Sequence, residues 1–475
     1  MRVSFKNQVS RVVLAFCLGL GVLLPHSVAH PAPTNVLMRD PSTIIKKGDT
    51  YWVYGTGKGI PQYSSTDRIH WTARGQVFEK APAWIAGTVL GSEDNFMVSP
   101  DVHRINGQYY LYYSVTKSGT NASAIGLAMS PTLEPGTWVD QGAVIVTRPD
   151  TDYDALEPCV FDDIGGRPWL AFGFAWSGIK VLPLDPKTGG VPEDAQMASV
   201  AARPGVAGNP IAGASIAYHD GWYYLFTSWD SGVASHIRMG RSHNPKGPYK
   251  DKEGKDLMEG GGSLFLTSTY DNGSGRPCDD QSGPRGVGIM RDGDEYWINV
   301  HYEQSRFSDG ATTMYVNGFS WGGDDWPQFI LDPGPFKIVT SLPAHNVLTV
   351  ANADVNDGAE VQSTYFRNDD SQWWRLRALP NGYYLLINQG SNKALTLVGD
   401  ATKPGVKPVL MTSQNLESQQ WYLQQNEDGT YQLLSKLSGK TIELDIANGS
   451  NNDGVPVGTW TVNGGPWQKW SFRVR

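Results

Sequence analysis

A short unit that recurs five times in the first two thirds of the chain constrains the fold most strongly. In each copy a Pro, or the residue in its place, is followed seven residues later by a Gly, and an aromatic-rich run comes soon after that Gly. The five residues that open these units are Asp40, Ser99, Glu157, Gly213 and Arg285. Two β-prone runs around a Gly turn predict a hairpin.

Five hairpins at similar intervals predict sheets repeated around an axis, a five-bladed β-propeller over residues 35–338. The alternative is a β-sandwich with accidental self-similarity. Because the innermost strands of a propeller converge, the five opening residues should face one shared pocket. Asp40 and Glu157 would then bring two carboxylates to that pocket, the arrangement that glycoside hydrolysis uses.

The N-terminus has the pattern of a secretory signal peptide over residues 1–29. Arg2, Lys6 and Arg11 precede an apolar run, and residues 27–29 form a small-x-small cleavage site. The run is too short for a membrane span. We therefore expect an exported chain without a membrane partner. A net charge of −8 and no basic stripe argue against nucleic acid, and we expect a monomer.

Two of the three cysteines, Cys159 and Cys278, lie beyond the predicted signal peptide. An oxidising compartment allows a disulfide between them, which would cross-link a loop to the chain beside the Glu157 unit. The alternative is two isolated reduced thiols. No Cys or His cluster has the spacing of metal ligands.

Further motifs lie in a fixed order through the first domain. They occupy residues 40–42, 123–128, 138–142, 172–173, 176–179, 240–242, 247–249 and 258–262. In this order they resemble the arabinan-degrading enzymes of glycoside hydrolase family 43, and the endo-1,5-α-L-arabinanases most closely. The resemblance implies a five-bladed propeller with the active site at its axis, and hydrolysis by inversion with three carboxylates.

The resemblance also assigns roles to residues of the repeated units. Asp40 matches the base that activates water, and an ionised Asp suits that role at neutral pH. Glu157 stands where these enzymes usually have the Asp that orients and tunes the acid. The position of the general acid is Ala212, which cannot transfer a proton. Loss of general acid catalysis typically costs about 10²–10⁴-fold in rate.

Three explanations for Ala212 stay open. Another carboxylate could supply the proton, the candidates being Glu157, Glu93, Asp94, Asp279 and Asp280. The substrate could carry a good leaving group or assist its own cleavage. Finally, the propeller could have lost hydrolysis and kept carbohydrate binding.

Four more residues are candidates for the propeller site. His301 matches a His that helps hold a hydrated cation, usually calcium, at the axis of arabinanases, although a lone His in a strand also fits a core position. Asp230 matches a residue of the pocket wall and is a weaker candidate for the missing acid. Trp176 and Trp84 are candidate platforms for sugar rings, with core packing as the alternative.

Residues 339–475 carry a second repeat beyond a Pro/Gly joint at 332–335. Three Gln-x-Trp triplets end at Trp374, Trp421 and Trp470, and each closes a unit that begins with a short aliphatic strand. They resemble the ricin-type β-trefoil lectin fold, in which the Trp fills the core and the Gln fixes a turn. The whole chain is therefore predicted to be all-β, a five-bladed propeller followed by a β-trefoil.

The trefoil resemblance implies that each unit can hold a sugar on an Asp of its first strand and an aromatic platform. In the three units of this sequence, we place Thr349, Thr396 and Glu443 at that Asp position. A hydroxyl accepts hydrogen bonds less strongly than a carboxylate, so we expect one competent site, at Glu443 with Trp460 and Asn463. The alternative is a trefoil kept only as a scaffold.

Together these features predict a secreted hydrolase of α-L-arabinofuranosyl linkages in plant cell-wall arabinan or a related polysaccharide, with an appended sugar-binding module. The alternative is a carbohydrate-binding protein whose propeller has lost turnover because the acid position is Ala212.

Overall fold

The computed structural model describes residues 32–230, 235–267, 281–304, 312–322, 324–329, 335–379, 381–399, 402–426 and 428–474. The predicted signal peptide and Cys278, Asp279 and Asp280 lie outside these ranges. Helical structure within them is limited to the α-helical turn Ile85–Thr88 and to short 3-10 turns at Leu257–Glu259, Ala351–Ala353, Asp370–Gln372, Glu417–Gln419, Ala447–Gly449 and Pro466–Gln468. No helix among the described residues is long and apolar enough to cross a bilayer.

Five antiparallel sheets form the blades of a propeller, which confirms the predicted fold. Blade 1 contains Ile45–Lys47, Thr50–Tyr54, Pro61–Ser65 and Thr72–Gln76. Blade 2 contains Phe96–Ile105, Gln108–Thr116, Ser123–Ser130 and Val139–Val146, with Gly57–Lys58 paired to its first strand. Blade 3 contains Cys159–Asp162, Pro168–Phe172, Ile179–Pro183 and Ala198–Ala201. Blade 4 contains Ile211–His219, Trp222–Asp230, Ser235–Ser242 and Ser263–Thr267.

Blade 5 joins the two ends of the propeller. Its strands are Gln281–Asp292, Glu295–Gln304 and Thr312–Trp321, with Pro327–Phe329 paired to the last of these. The first described strand of the chain, Ala32–Leu37, also pairs antiparallel with Thr312–Trp321. The ring is thus closed by a strand from the N-terminal side, which covers a sheet edge that would otherwise be open to pairing.

The aromatic run of each hairpin is the second strand of its blade, and both faces of that strand are buried. In blade 2, Tyr109 and Tyr113 pack into the core shared with blade 1, whereas Tyr110 and Tyr112 pack into the core shared with blade 3. Side chains of a strand alternate between its two faces. An unbroken aromatic run is therefore what a strand between two neighbouring blades requires.

The C-terminal domain is a β-trefoil of twelve described strands. They are Phe336–Thr340, Val347–Val350, Val361–Thr364, Trp374–Ala378, Tyr384–Asn388, Ala394–Thr396, Val409–Met411, Trp421–Gln425, Tyr431–Ser435, Ile442–Ile446, Val455–Thr461 and Trp470–Val474. Phe336–Thr340 pairs along its length with Trp470–Val474. Since that strand crosses the predicted 338/339 boundary, the second domain begins at or before Phe336.

The three triplet tryptophans fill one core at the centre of the trefoil. Trp374, Trp421 and Trp470 are fully buried. The indole N–H groups donate to the backbone carbonyls of Leu348, Leu395 and Leu444 at 2.8, 3.0 and 3.3 Å. Each buried indole is therefore satisfied by the first strand of its own unit, and the three units share this contact.

Candidate active site

The residue that opens each blade at the axis has a left-handed backbone. The φ angles are +45° at Asp40, +46° at Ser99, +56° at Glu157, +56° at Gly213 and +60° at Gly286. Positive φ is uncommon for residues other than Gly, and such strain concentrates at functional sites. Five equivalent residues in this conformation identify the ring around the axis.

The fifth position of that ring is Gly286, and the prediction of Arg285 was wrong by one residue. The pairing of this strand with its neighbour shifts register on both sides of Arg285, so the spacing to the turn Gly differs from that in the other blades. The Arg285 guanidinium forms a 2.7 Å ion pair with Glu303.

A cavity of about 1180 Å³ lies over the inner ends of blades 1, 2 and 3. The carboxylate residues in its lining are Asp40, Asp152, Asp154 and Glu157. Trp176 also lines it and is 51% exposed. An exposed indole beside carboxylates offers an apolar face to a sugar ring, so the structure places the predicted platform Trp176 with Asp40 and Glu157.

Asp40 is held by a chain of hydrogen bonds that starts in blade 2. The Ser99 backbone N–H donates to Thr56 Oγ1 at 2.8 Å, and the Thr56 hydroxyl donates to Asp40 Oδ2 at 2.7 Å. The Asp40 side chain is 19% exposed, and Arg39 Nε lies 3.6 Å from Oδ2. Asp40 is therefore fixed in orientation while still open to the cavity, as a base that activates water must be.

His301 lies directly behind Asp40. The Asp40 backbone N–H donates to His301 Nδ1 at 3.3 Å, which leaves the proton of the neutral ring on Nε2. That nitrogen lies 3.7 Å from Asp40 Oδ1. Burial lowers the pKa of the imidazole, although the nearby charge of Asp40 opposes this. His301 thus meets Asp40 as a neutral ring.

The calcium ion predicted at His301 stays a prediction. No group of three or more His, Cys, Asp or Glu residues in the described part of the chain is arranged to hold a metal ion. Calcium prefers oxygen ligands, so an ion near His301 would take most of its ligands from water.

Glu157 reaches from blade 3 to blade 4. Its backbone N–H donates to Ser114 Oγ at 3.1 Å, and its carboxylate Oε2 accepts a hydrogen bond from the Gly213 backbone N–H. Burial and the charge of Asp40 raise the pKa of Glu157 to about 8, although the Gly213 hydrogen bond opposes this. Glu157 is thus protonated at neutral pH.

Asp154 is a cavity residue that the sequence did not single out. The Phe174 backbone N–H donates to its Oδ1 at 2.7 Å, which ties it to the loop that carries Trp176. Burial raises the pKa of Asp154 to about 7. The only signal in the sequence was its position three residues before Glu157, and that spacing alone does not reveal burial.

Ala212 adds no functional group to this site. It lies in Ile211–His219, opposite Ser228 of the next strand, and is not among the residues that line the cavity. Of the alternative acids, Glu93 and Asp94 are exposed and lie outside the described lining of the cavity. Asp230 ends a strand, and its side chain lies outside the described part of the chain.

One further prediction is corrected by the structure, and another stays untested. Trp84 is not a sugar platform, because its ring packs against the core between blades 1 and 2 and its Nε1–H donates to Asp140 at 3.3 Å. Cys159 is buried and is a free thiol among the described residues; its predicted partner Cys278 lies outside them, so the disulfide stays a prediction. The Cys159 sulfur lies 3.6 Å from Ser215 Oγ in the neighbouring blade.

The trefoil carries a second candidate site in its third unit. A cavity of about 550 Å³ is lined by Asp445, Asn448, Trp460, Asn463 and Trp467, among others. Trp460 is 49% exposed. A carboxylate that shares a cavity with two indoles can accept hydrogen bonds from the hydroxyls of a sugar, while the apolar face of the sugar stacks on an indole.

The carboxylate of this site is Asp445, and the prediction of Glu443 was wrong. Glu443 is fully buried and accepts a hydrogen bond from Gln432 at 2.9 Å. The triplet glutamines donate to the side chains of Thr349, Thr396 and Asp445, each 23 residues earlier. This constant spacing was visible in the sequence and identifies the equivalent residues better than the aliphatic runs do.

Carboxylates that share one cavity at the axis of a five-bladed propeller, beside an exposed indole, are the arrangement that glycoside hydrolysis uses. Residues 32–327 match the family model of the glycosyl hydrolases family 43. Residues 326–411 and 417–475 match the ricin-type β-trefoil lectin-like domain. The chain belongs to glycosyl hydrolase family 43 and ends in a ricin-type β-trefoil.

Known relatives cover the propeller. The chain is 35% identical over 314 residues to an extracellular endo-α-(1→5)-L-arabinanase of Bacillus subtilis, covering 64% of this chain and 91% of that protein. It is 32% identical over 318 residues to an extracellular exo-α-(1→5)-L-arabinofuranosidase of Cellvibrio japonicus, covering 62% and 86%. A solved arabinanase structure from Bacillus subtilis aligns with a TM-score of 0.56 at 34% identity, over 63% of this chain and all of that one.

Proposed function

We propose that this protein hydrolyses α-L-arabinofuranosyl linkages of arabinan or a related arabinose-containing polysaccharide. The observation that carries the proposal is the shared cavity of Asp40 and Glu157 at the propeller axis. Relatives named as endo- and exo-acting arabinan enzymes support this substrate class. The cavity volume of about 1180 Å³, with Trp176 in the lining, suits a chain of sugars.

The trefoil is proposed to tether the enzyme to carbohydrate through the Asp445 cavity. A weak second contact raises the time that a hydrolase spends near an insoluble polymer, because the second binding event is intramolecular. Export is proposed as well. It is supported by the signal pattern at residues 1–29 and by relatives that are named extracellular.

A second candidate function is carbohydrate binding without turnover. Ala212 at the expected acid position favours it, and Asp40 and Trp176 would serve binding equally well.

One substrate panel separates the two functions. The mature protein and its Asp40→Asn variant are incubated with linear arabinan, arabinoxylan and arabinogalactan, and released sugars are separated by anion-exchange chromatography. Hydrolysis predicts arabinose or arabino-oligosaccharides from at least one polymer with the wild type and none with Asp40→Asn. Retention in an arabinan affinity gel without release from any polymer would establish the binding function and refute hydrolysis.

A further inference from the structure

We propose that Glu157 is the proton donor of this enzyme and that it replaces the acid missing at Ala212. The proposal rests on the proposed function, since it assigns a role in that reaction. It differs from the role of orienting and tuning an acid that the family resemblance implies for this position.

The Glu157 side chain is long enough to bring its carboxyl to the backbone of Ala212 and Gly213, which we call the corner between blades 3 and 4. Its Oε2 accepts a hydrogen bond from the backbone N–H of Gly213, the residue directly after Ala212. The carboxyl thus spans the gap between blades 3 and 4 and ends at the backbone of the residue next to Ala212. An Asp at position 157 would be one methylene shorter.

The residues that form this corner have side chains too small to occupy the space of that carboxyl. Gly213 has a φ of +56°, and a Cβ on it would lie 2.9 Å from Ser228 Oγ and 3.2 Å from the Gly286 Cα. A side chain at position 213 would therefore require Ser228 and Gly286 to move. Ala212, Gly213 and Gly286 leave the corner to Glu157.

The protonation state of Glu157 suits a donor. Its pKa of about 8 keeps the carboxyl protonated at neutral pH. Burial and the nearby charges of Asp40 and Asp154 raise that pKa, while the Gly213 N–H and the charge of Arg39 oppose the rise. Because Gly213 donates to one carboxyl oxygen, the other can carry the proton. Asp154 then acts on Glu157 through its charge and serves as a positioning residue.

The step balances with groups that are present in the site. The O–H bond of Glu157 breaks and its proton moves to the glycosidic oxygen. The bond between that oxygen and the anomeric carbon breaks, and its electron pair stays on the oxygen. A water molecule attacks the anomeric carbon and gives a proton to Asp40. Glu157 ends ionised and Asp40 protonated, and proton exchange with solvent restores both.

Leaving-group dependence tests this assignment. The substrates are α-1,5-arabinotriose, whose alkoxide must be protonated on leaving, and 2,4-dinitrophenyl α-L-arabinotrioside, whose phenolate needs no proton. Gln at position 157 keeps a side-chain carbonyl oxygen that can accept the hydrogen bond from the Gly213 backbone N–H. We expect Glu157→Gln to lower kcat on arabinotriose by about 10²–10⁴-fold and to leave kcat on the activated substrate within about tenfold. Asp40→Asn should lose both activities.

Asp154→Asn separates the donor from its neighbour. Removing the nearby charge should move the alkaline limit of kcat on arabinotriose to lower pH, and any change in kcat below that limit should be shared by both substrates. Equal losses on the two substrates in Glu157→Gln, or a loss confined to arabinotriose in Asp154→Asn, would overturn the assignment to Glu157. A wild type inactive on both substrates and on all three polymers would instead refute the proposed function itself.

Discussion

Replacing Glu157 with Gln should stabilise the propeller in mildly alkaline solution, although a catalytic carboxyl is lost. The pKa of Glu157 is about 8 in the folded protein and 4.5 ordinarily. The folded state therefore keeps a proton that the unfolded chain releases between these two values. This contribution to stability is complete below about pH 4.5 and is lost as pH rises through about 8. Gln carries no charge and avoids the loss.

The structure sets the size of the effect. Each pH unit between the ordinary and the folded pKa is worth about 1.4 kcal/mol, which gives an upper limit of about 5 kcal/mol. Glu157 lines a solvent-accessible cavity, and water there screens its charge, so we expect about 2 kcal/mol. For a domain of this size, 2 kcal/mol corresponds to a rise in Tm of about 4 °C.

Differential scanning calorimetry at about pH 5 and about pH 8.5 measures this difference. Glu93→Gln is the matched control, since Glu93 is exposed. We expect Glu157→Gln to raise the Tm of the propeller transition at alkaline pH only, with the trefoil transition and the control unchanged. A variant that is no more stable than the wild type at about pH 8.5 would refute the claim that the site forces a proton onto Glu157.

Three further substitutions probe the rest of the account. Ala212→Glu should give no gain in kcat on arabinan, because the corner beside it is already filled by a donor from blade 3; a gain of about 10²-fold would mean that the acid was simply missing. Asp445→Asn should weaken retention of the protein in a carbohydrate affinity gel and leave hydrolysis of soluble arabinotriose unchanged. Glu443→Gln should change neither. The reverse pattern would assign the carboxylate of the trefoil site to Glu443. Gly213→Ala should lower both Tm and kcat, since its Cβ would meet a hydroxyl oxygen at 2.9 Å. The control Gly48→Ala, at a φ of +58° with open space around the Cβ, should cost only about 1 kcal/mol of stability. Equal effects of the two substitutions would show that no close contact is involved.

Much of the fold could be predicted from the sequence, because repeated units are recognisable from short local patterns. The Gly turns and aromatic runs predicted the hairpins, and the Gln-x-Trp triplets predicted the trefoil core. The errors came from register. A register shift at Arg285 moved the ring position to Gly286, and aligning aliphatic runs selected Glu443 where the distance to the triplet Gln identifies Asp445.

The chemistry of the site was less accessible, because it depends on contacts between blades. The sequence identified Asp40, Glu157 and the gap at Ala212. It did not show that Glu157 reaches Gly213, which depends on how blades 3 and 4 pack, or that Asp154 is buried in the same cavity, which depends on its contact with Phe174. Trp84 was assigned to the site for a similar reason, as an indole in a core cannot be distinguished from an exposed one by residue type.

As base and acid, Asp40 and Glu157 would act on opposite sides of an arabinofuranosyl bond. The decisive experiment is proton NMR of the first product formed from α-1,5-arabinotriose. Two carboxylates serving as base and acid predict inversion, with the β-anomer appearing first and only while Asp40 is intact. An α-anomer as the first product, or release by Asp40→Asn at the rate of the wild type, would contradict the account.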